Sequence, residues 1–380
     1  MLIERALKQT LQQRLTASNK VILIFGPRQA GKTTLVREVI ANFGGRKLEI
    51  NADELRHIDT LSSRNLDRLT QLVAGYDLLF LDEAQRVPEI GINLKILHDQ
   101  IPQLRIIATG SSSLDLASQT REPLTGRTRT YQLLPLAMSE LATHFNRYEL
   151  DNKLENLLLF GGYPEAFSAT NKADKIEYLR ELTASYLFKD LLEVGAIKYS
   201  PKLRDLVRML AFQIGSEVSI NELSNKLQLH RDIVNNYIDL LEKTFVIFRL
   251  GGYSRNLRKE ITRHDKVFFC DLGVRNAIIE NFKPLDQRED SGRLWENFLF
   301  VERMKTQMYR GDSANRYFWR TYTGAELDYI EEKNGQLFGY EFKFSNKAAN
   351  APKIWQETYP NALFQTINRS NYLDFLLPTP

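Results

Sequence analysis

A loop motif directly behind an apolar stretch constrains this chain more than any other feature. The loop reads Gly26-Pro27-Arg28-Gln29-Ala30-Gly31-Lys32-Thr33, with Thr34 next, and it follows the apolar residues 21–25. Glycines let the backbone curl so that successive N–H groups point at one anion, and the lysine and threonine supply a charge and a hydroxyl for Mg²⁺. The helix predicted over residues 34–40 adds its positive N-terminus. The pattern predicts a site for the phosphates of ATP or GTP.

Two carboxylates end a second apolar stretch. Residues 78–81 are Leu-Leu-Phe-Leu, and Asp82 and Glu83 follow. A buried parallel strand presents functional residues at its carboxyl end. Asp82 is therefore predicted to hold Mg²⁺ together with Thr33. Glu83 is predicted to polarise the water that attacks the γ-phosphate, while Lys32 compensates the phosphate charge.

Strand and helix patterns alternate over residues 20–136, with strands predicted at 21–25, 47–51, 78–81 and 104–109. This rhythm is typical of an α/β fold in which helices cover a parallel sheet. Ser111, after the fourth strand, is a candidate sensor of the γ-phosphate, and a turn-forming role is the alternative. Arg127 is a candidate arginine finger for a neighbouring subunit's nucleotide, and an ordinary surface arginine is the alternative.

Length and composition restrict the class of protein. The 380 residues are enough for two or three domains, and 43% hydrophobic with 26% charged residues is ordinary globular material. The single cysteine, Cys270, excludes an internal disulfide, and no apolar run approaches the roughly 18 residues of a membrane helix. The start of the chain does not resemble a secretion signal. We therefore expect a cytoplasmic protein without a membrane partner.

The middle of the chain is helical and basic. Residues 200–266 hold 12 Lys and Arg against 8 Asp and Glu. Ser219 begins a predicted capping-box helix, and a second helix from about His230 is predicted to bury Ile233, Val234, Tyr237, Ile238 and Leu241 while exposing Arg231, Asn235 and Asn236. Strands at 245–250 and 266–269 would flank the basic residues Arg255, Arg258, Lys259 and Arg263. The pattern predicts a winged helix that contacts DNA or, alternatively, serves as a protein-protein spacer.

The C-terminal region predicts a second site. Strands are expected at 317–319, 326–330 and 337–344, with an Asn334-Gly335 hairpin turn. Alternation places Glu341 and Lys343 on one face of their strand, and Glu326 and Asp328 likewise share a face. Asp328 and Glu341, with Glu296 from a preceding helix, are predicted to bind Mg²⁺ while Lys343 steadies a nucleophile. A solvated Glu-x-Lys pair is the alternative.

Together these motifs resemble a family of prokaryotic AAA-type ATPases whose C-terminal domain, long of unknown function, is similar to PD-(D/E)xK restriction endonucleases. The resemblance implies a P-loop core at 1–136, a helical lid at 137–195, a winged helix at 196–270 and an α+β nuclease-like domain at 271–380. It favours ATP over GTP. It rests on the loop and acid motifs above and on Thr109-Gly110-Ser111, Gly161-Gly162-Tyr163-Pro164, Leu272-Gly273, Trp295-Glu296-Asn297 and residues 326–343.

Three functions follow as hypotheses. The first is an AAA-like ATPase that hydrolyses ATP with Mg²⁺ to rearrange domains or subunits on DNA, as a homo-oligomer if an arginine finger acts between subunits. The second is a Mg²⁺-dependent nuclease regulated by ATP. The third is a nucleotide switch that recruits protein partners through its winged-helix and nuclease-like surfaces.

Overall fold

The N-terminal third forms a parallel sheet covered on both faces by helices. A computed structural model describes residues 2–111, 124–187, 201–254 and 264–377, so the predicted basic residues Arg255, Arg258, Lys259 and Arg263 lie outside the described part of the chain. The elements in order are α1 Leu7–Ala17, β1 Val21–Phe25, α2 Lys32–Ile40, β2 Lys47–Asn51, α3 Ile58–Leu61, α4 Leu66–Val73, β3 Leu78–Asp82, α5 Ile90–Gln100, β4 Arg105–Gly110 and β5 Thr128–Gln132.

The sheet has the order β2-β3-β4-β1-β5, and its paired strands are all parallel. Every residue of β1 is buried, because alternate side chains enter different apolar layers. Val21, Leu23 and Phe25 pack with α4 and α5, whereas Ile22 and Ile24 pack with α1 and α2. The four strands expected from the sequence are present, and β1 lies between β4 and β5, so the loop that leaves it begins between these two strands.

Helices dominate the middle of the chain. They are α6 Met138–Leu141, α7 Arg147–Phe160, α8 Pro164–Ser168, α9 Lys172–Glu181, a π-helical turn Leu182–Leu187, α10 Pro201–Phe212, α11 Ile220–Leu227 and α12 Arg231–Lys243, followed by the antiparallel pair β6 Ile247–Leu250 and β7 Lys266–Phe269 and by α13 Leu272–Ile278. The Ser219 hydroxyl accepts a hydrogen bond from the Glu222 N–H, so the expected helix cap is present.

One expectation about α12 is wrong. Val234, Tyr237, Ile238 and Leu241 are buried as expected, but Ile233 is 39% exposed. The buried residues follow steps of three and four along the helix and define a single stripe, and Ile233 lies at the margin of that stripe.

The C-terminal third contains α14 Ser291–Arg310, β8 Asn315–Arg320, β9 Glu326–Lys333, β10 Gln336–Phe342, α15 Lys353–Thr358, β11 Leu363–Ile367 and α16 Tyr372–Leu376. Its sheet has the order β11-β10-β9-β8, with β8, β9 and β10 antiparallel and β11 parallel to β10. Asn334 and Gly335 both have positive φ, as a tight hairpin turn requires. Tyr340 and Phe342 are buried, and this places Glu341 on the opposite face of β10.

A glycine pair lets the end of helix α7 pack closely against the start of α13. Helix α7 ends at Phe160, and Gly161 and Gly162 then pass against the buried carboxylate of Asp271. A Cβ on Gly161 would lie 2.0 Å from Asp271 Oδ1, and the Gly162 N–H donates to Asp271 Oδ2 at 2.7 Å. Burial raises the pKa of Asp271 against these backbone donors. Residues larger than glycine would separate α7 from the start of α13.

Candidate nucleotide site and C-terminal carboxylate cluster

The loop between β1 and α2 curls closely around its own lysine. Gly26 passes beside the segment after β5, where an added Cβ would lie 1.9 Å from the Leu133 carbonyl oxygen. Gly31 has a φ of +93° immediately before α2. Lys32 Nζ, on a buried side chain, donates to the carbonyl oxygens of Gly26 at 2.8 Å and Pro27 at 2.9 Å. The ammonium group is thus held inside the curl of the loop, where the sequence predicted a phosphate site.

Asp82 meets the loop as expected. The Thr33 hydroxyl donates to Asp82 Oδ2 at 2.7 Å, and the Thr109 hydroxyl at the end of β4 donates to Asp82 Oδ1. Hydroxyl and carboxylate oxygens are the hard ligands that Mg²⁺ prefers when phosphates complete its coordination. The donor set therefore fits Mg²⁺. The part played by Thr109 was missed, since nothing in the sequence pairs β3 with β4.

Glu83 lies next to Asp82 in a strained conformation. Its φ of +52° and ψ of +40° fall in the left-handed region, which costs a residue other than glycine about 1–3 kcal/mol. Gln85 Nε2 donates to Glu83 Oε2 at 2.6 Å and to the Ser111 hydroxyl oxygen at 3.0 Å. The two residues predicted as base and sensor are therefore connected through Gln85, which received no separate role from the sequence.

A buried arginine near the start of the chain holds the phosphate loop through a hydrogen bond to the loop backbone. Arg5 Nη1 donates to the Ala30 carbonyl oxygen and Nη2 to the Leu134 carbonyl oxygen, both at 2.6 Å. Its Nε donates to Glu140 Oε1 at 2.9 Å. Arg5 thus joins the loop, the exit of β5 and helix α6. A single arginine near a terminus gives no sequence signal for such a contact.

An apolar cavity of about 110 Å³ opens beside the loop. It lies between the first residues of the chain, the start of α2 and helix α8. Its lining is Leu2, Ile3, Arg5, Gly31, Thr34, Leu35, Glu38, Leu136, Pro164 and Ser168. The cavity is a second feature of the site that sequence reasoning missed, because its walls come from four separate segments.

Arg127 lies away from this constellation within its own chain. Its carbonyl oxygen accepts from the Val21 N–H at the first residue of β1, while the loop follows the last residue of that strand. The five residues of β1 therefore separate the backbone of Arg127 from the start of the loop by roughly 16 Å. Arg127 Nε instead bonds Asp99 Oδ1 at 2.7 Å. A contact with nucleotide through Arg127 would have to come from another subunit, and that role stays a prediction.

The C-terminal carboxylates converge around a lysine that sequence reasoning placed only in a wing strand. Lys266, on β7, lies 2.8 Å from Glu296 Oε1 on α14 and 3.8 Å from Asp328 Oδ1 on β9. Its side chain is 8% exposed. Burial raises the pKa of Glu296 to about 7 despite the opposing charge of Lys266. An internal ammonium group therefore occupies the space between two predicted metal ligands.

Glu341 and Lys343 form the neighbouring pair, with Lys343 Nζ 2.6 Å from Glu341 Oε1. Asp328 Oδ2 accepts from the Phe342 N–H at 2.7 Å. Burial raises the pKa of both Asp328 and Glu341, and the charge of Asp328 adds to the rise at Glu341. Within the described ranges, no three His, Cys, Asp or Glu residues are grouped so that they could hold one metal ion. Lys266 lies close to two of the three carboxylates, and the metal site at Glu296, Asp328 and Glu341 stays a prediction.

Comparison with known proteins agrees with the nucleotide-site geometry. Residues 18–142 match the model of the AAA domain. This segment is therefore similar to AAA domains. Residues 151–285 and 291–366 match two domains of unknown function, DUF8612 and DUF4143. The segment similar to AAA domains spans the sheet, the loop and the acid pair, and the similarity supports a nucleotide-hydrolysing ATPase.

Relatives cover most of the chain. An uncharacterized protein of Mycobacterium tuberculosis is 29% identical over 346 residues, which are 90% of this chain and 74% of the relative. One of Methanocaldococcus jannaschii is 26% identical over 355 residues, 87% of this chain and 76% of the relative. The solved Walker-type ATPase PABY2304 of Pyrococcus abyssi is 16% identical with a TM-score of 0.51, covering 73% of this chain and 96% of that one. That likeness shows the fold: an α/β protein with a P-loop ATPase sheet.

Among the described residues, no helix is both long enough and apolar enough to cross a membrane.

Proposed function

We propose that this chain is an ATPase that binds ATP with Mg²⁺ and hydrolyses it to change the arrangement of its domains or subunits. One observation carries the proposal: Asp82 accepts the hydroxyl hydrogen of Thr33 at 2.7 Å, so the end of β3 meets the phosphate loop directly. Lys32 and Glu83 are the chain neighbours of these two residues. One edge of the sheet thus provides a positive charge for the phosphates and two oxygen ligands for a metal. It also provides a base for the attacking water.

Each residue has a role that its surroundings support. Lys32 can exchange its bonds to the carbonyls of Gly26 and Pro27 for bonds to phosphate oxygens. Thr33 and Asp82 would hold Mg²⁺, which when bound neutralises charge on the phosphates. Glu83 polarises the attacking water and accepts its proton. Ser111, near Glu83 through Gln85, is positioned to respond to the γ-phosphate.

The cavity beside the loop supports the binding of a whole nucleotide. Gly31 and Thr34 line both the cavity and the phosphate loop, while Leu35, Leu136 and Pro164 contribute apolar walls. A purine ring is flat and largely apolar on its faces, so these walls would remove it from water. Helix α8 would then contact the nucleotide, and it could transmit nucleotide binding to the neighbouring helices of residues 138–278.

Two substitutions test the proposal. Lys32→Ala removes the phosphate charge, and we expect ATP affinity and turnover both to fall. Glu83→Gln keeps the shape and removes the base, so ATP binding should persist while turnover slows by about 10²–10⁴-fold. Lys353→Ala, at a side chain that is 89% exposed, is the control for loss of a lysine. Lys32→Ala protein that hydrolyses ATP at the wild-type rate would remove the assignment.

We further propose that the predicted winged helix at residues 196–270 contacts DNA. Arg231, Asn235 and Asn236 are exposed on α12, beside the β6–β7 pair, and amide side chains are suited to base edges. Binding of duplex DNA should weaken steeply with salt, because phosphate contacts release counterions. Asn235→Ala with Asn236→Ala should lower affinity, whereas the exposed Asn350→Ala should not. Absence of salt-dependent binding would favour the hypothesis of a switch that recruits proteins.

Nuclease activity remains the alternative for the C-terminal domain. The convergence of Glu296, Asp328 and Glu341 favours it, whereas the position of Lys266 opposes a metal. Cleavage of DNA or RNA by the wild type, lost in Asp328→Ala and in Lys343→Ala, would support it. No cleavage across metals and nucleotides would exclude it.

A further inference from the structure

We propose that Gln85 is the positioning residue for hydrolysis: its amide nitrogen fixes the carboxylate of Glu83, the predicted base, next to Ser111. The inference rests on the proposed ATPase function and extends it to a residue without an assigned role. Gln85 lies in the 3₁₀ turn Ala84–Arg86, directly after the strained Glu83. That turn brings its side chain back toward the carboxylate.

The orientation of the Gln85 amide follows from its two partners. A carboxylate only accepts hydrogen bonds, so the atom facing Glu83 Oε2 at 2.6 Å must be the amide nitrogen. The same nitrogen donates to the Ser111 hydroxyl oxygen at 3.0 Å. Both of its hydrogens are thus committed, one to the base and one to the residue after β4. Gln85 therefore cannot rotate without breaking a bond to Glu83 or to Ser111.

The other end of the amide is buried and lacks a partner. Gln85 Oε1 is inaccessible to solvent and accepts no hydrogen bond from the described residues. Because Oε1 is closed to solvent, it cannot itself hold the attacking water. Gln85 therefore acts on that water through the carboxylate of Glu83, which its amide nitrogen holds in place.

This arrangement gives hydrolysis a defined geometry. The water oxygen forms its bond to the γ-phosphorus as the bond from that phosphorus to the bridging oxygen breaks. The electron pair of the broken bond leaves with ADP, and the water proton passes to Glu83. Gln85 gains and loses no proton. It holds the carboxylate that accepts this proton, and Ser111 fixes Gln85 in turn.

Kinetics of Gln85 variants test the proposal. For Gln85→Ala we expect kcat to fall by about 10–100-fold, as for loss of one oriented contact in a transition state. KM and the directly measured affinity for a non-hydrolysable ATP analogue should change less than about twofold, because ground-state binding is spared. Ser111→Ala should lower kcat less. The exposed Gln71→Ala should match the wild type in every measurement.

A double variant and a charged variant separate positioning from a structural role. If Gln85 acts through Glu83, adding Gln85→Ala to Glu83→Gln should slow hydrolysis no further. Gln85→Glu keeps the shape of the side chain but replaces the amide donor by a carboxylate, so kcat should fall while the affinity for the ATP analogue stays within about twofold of the wild type. This second variant keeps the test valid if Gln85→Ala fails to fold.

Three outcomes would overturn the inference. They are an unchanged kcat in Gln85→Ala, effects of Glu83→Gln and Gln85→Ala that multiply in the double variant, or a wild-type kcat in Gln85→Glu. If Lys32→Ala and Glu83→Gln still slow hydrolysis, the proposed ATPase function stands and only the role of Gln85 falls. A wild type without Lys32-dependent hydrolysis overturns both.

Discussion

Gly26 must be a glycine because of a neighbour 107 positions further along the chain. The segment after β5 runs so close that the Leu133 N–H donates to the Phe25 carbonyl oxygen at 2.7 Å, and no space remains for a side chain at Gly26. The obstructing atom belongs to the backbone, so it cannot turn aside as a flexible side chain would. The motif therefore depends on packing against β5 as well as on the freedom of its own backbone.

Gly26→Ala should lower the free energy of unfolding by about 1–3 kcal/mol, as for overpacking of a filled interior, and it should weaken nucleotide binding. An added Cβ at Gly44 would meet no atom within 4 Å, so Gly44→Ala is a matched control expected to stay within about 0.5 kcal/mol of the wild type. Urea unfolding measures both. Equal stability of Gly26→Ala and Gly44→Ala would contradict the close packing.

Residue positions in the site were predictable where a local sequence motif brings the residues together. The positions of Lys32 and Thr33 follow from the loop motif, and that of Asp82 from the end of an apolar strand. Arg5, Thr109 and Gln85 were missed because each acts through tertiary contacts. The contact from Arg5 to Leu134 joins residues 129 positions apart, and no local pattern encodes it.

Among the elements, α14 begins at a buried ion-pair network. Asp290, just before the helix, receives Arg275 Nη1 at 2.6 Å and Arg288 Nε at 2.8 Å. Both arginine side chains are almost completely buried. Burial alone would raise the pKa of Asp290, but the hydrogen bond from Arg288 and the charge of Arg275 lower it to about 2. The carboxylate is thus the shared counter-charge of two arginines that have little access to water.

Asp290→Asn should cost roughly 3 kcal/mol at pH 7, because two buried guanidinium groups lose their counter-charge. The folded-state pKa lies below the ordinary 3.8, so the stabilisation is present above pH 3.8 and is lost as pH falls through about 2. The difference in the free energy of unfolding between the wild type and Asp290→Asn should therefore decrease from pH 4 toward pH 2. Glu289→Gln, at the exposed neighbour, is the control. A difference that stays constant with pH would exclude the ionised carboxylate as its cause.

Elements were predicted well where periodicity is local, as for β1 to β4, α11 and the β9–β10 hairpin. The position of an element relative to others was not predictable in the same way. Strand β7 was expected as half of a wing, yet its Lys266 enters the carboxylate cluster of the C-terminal third. Periodicity shows which face of a strand is apolar, but it does not show which distant charge will meet a polar side chain.

Lys266 joins the middle segment to the C-terminal sheet, and its loss should affect the whole molecule. Lys266→Met keeps the length of the side chain but leaves Glu296 and Asp328 without their shared cation. We expect the free energy of unfolding to fall by roughly 3 kcal/mol, as when one partner of a buried ion pair is removed. The exposed Lys353→Met is the control. Unfolding in urea measures the loss, and an unchanged midpoint would mean that the two carboxylates are neutral or solvated.

Helix α14 spans the molecule from this cluster to the nucleotide site. Its 20 residues extend for about 30 Å. Glu296 near its start contacts Lys266, and near its end the Leu134 N–H donates to the Tyr309 hydroxyl oxygen at 3.1 Å. Between them, Glu302 Oε2 accepts from the Met138 N–H at 2.6 Å. Leu134 also bonds Arg5, which holds the loop, so a continuous set of buried polar contacts runs from Ala30 to α14.

Nucleotide binding should therefore protect α14 from hydrogen exchange, although the helix does not line the cavity beside the loop. Ordering of the loop stabilises Arg5 and the segment at Leu134, and this segment is bonded to Tyr309. Tyr309→Phe removes one acceptor and leaves the Leu134 N–H buried without it, a loss of about 1–3 kcal/mol. In that variant, an ATP analogue should still protect the loop but should protect residues 296–309 less than in the wild type.

The control for this experiment is Tyr148→Phe, which removes a hydroxyl from a side chain that is 77% exposed. Its exchange pattern should match that of the wild type with and without the analogue. If deuterium uptake at α14 in the wild type is the same with and without nucleotide, the nucleotide site and α14 act independently. Equal protection of α14 in the wild type and in Tyr309→Phe would instead route the coupling through Glu302 and Lys305. Glu302 Oε2 accepts from the Met138 N–H, and Lys305 Nζ donates to the Leu136 carbonyl oxygen.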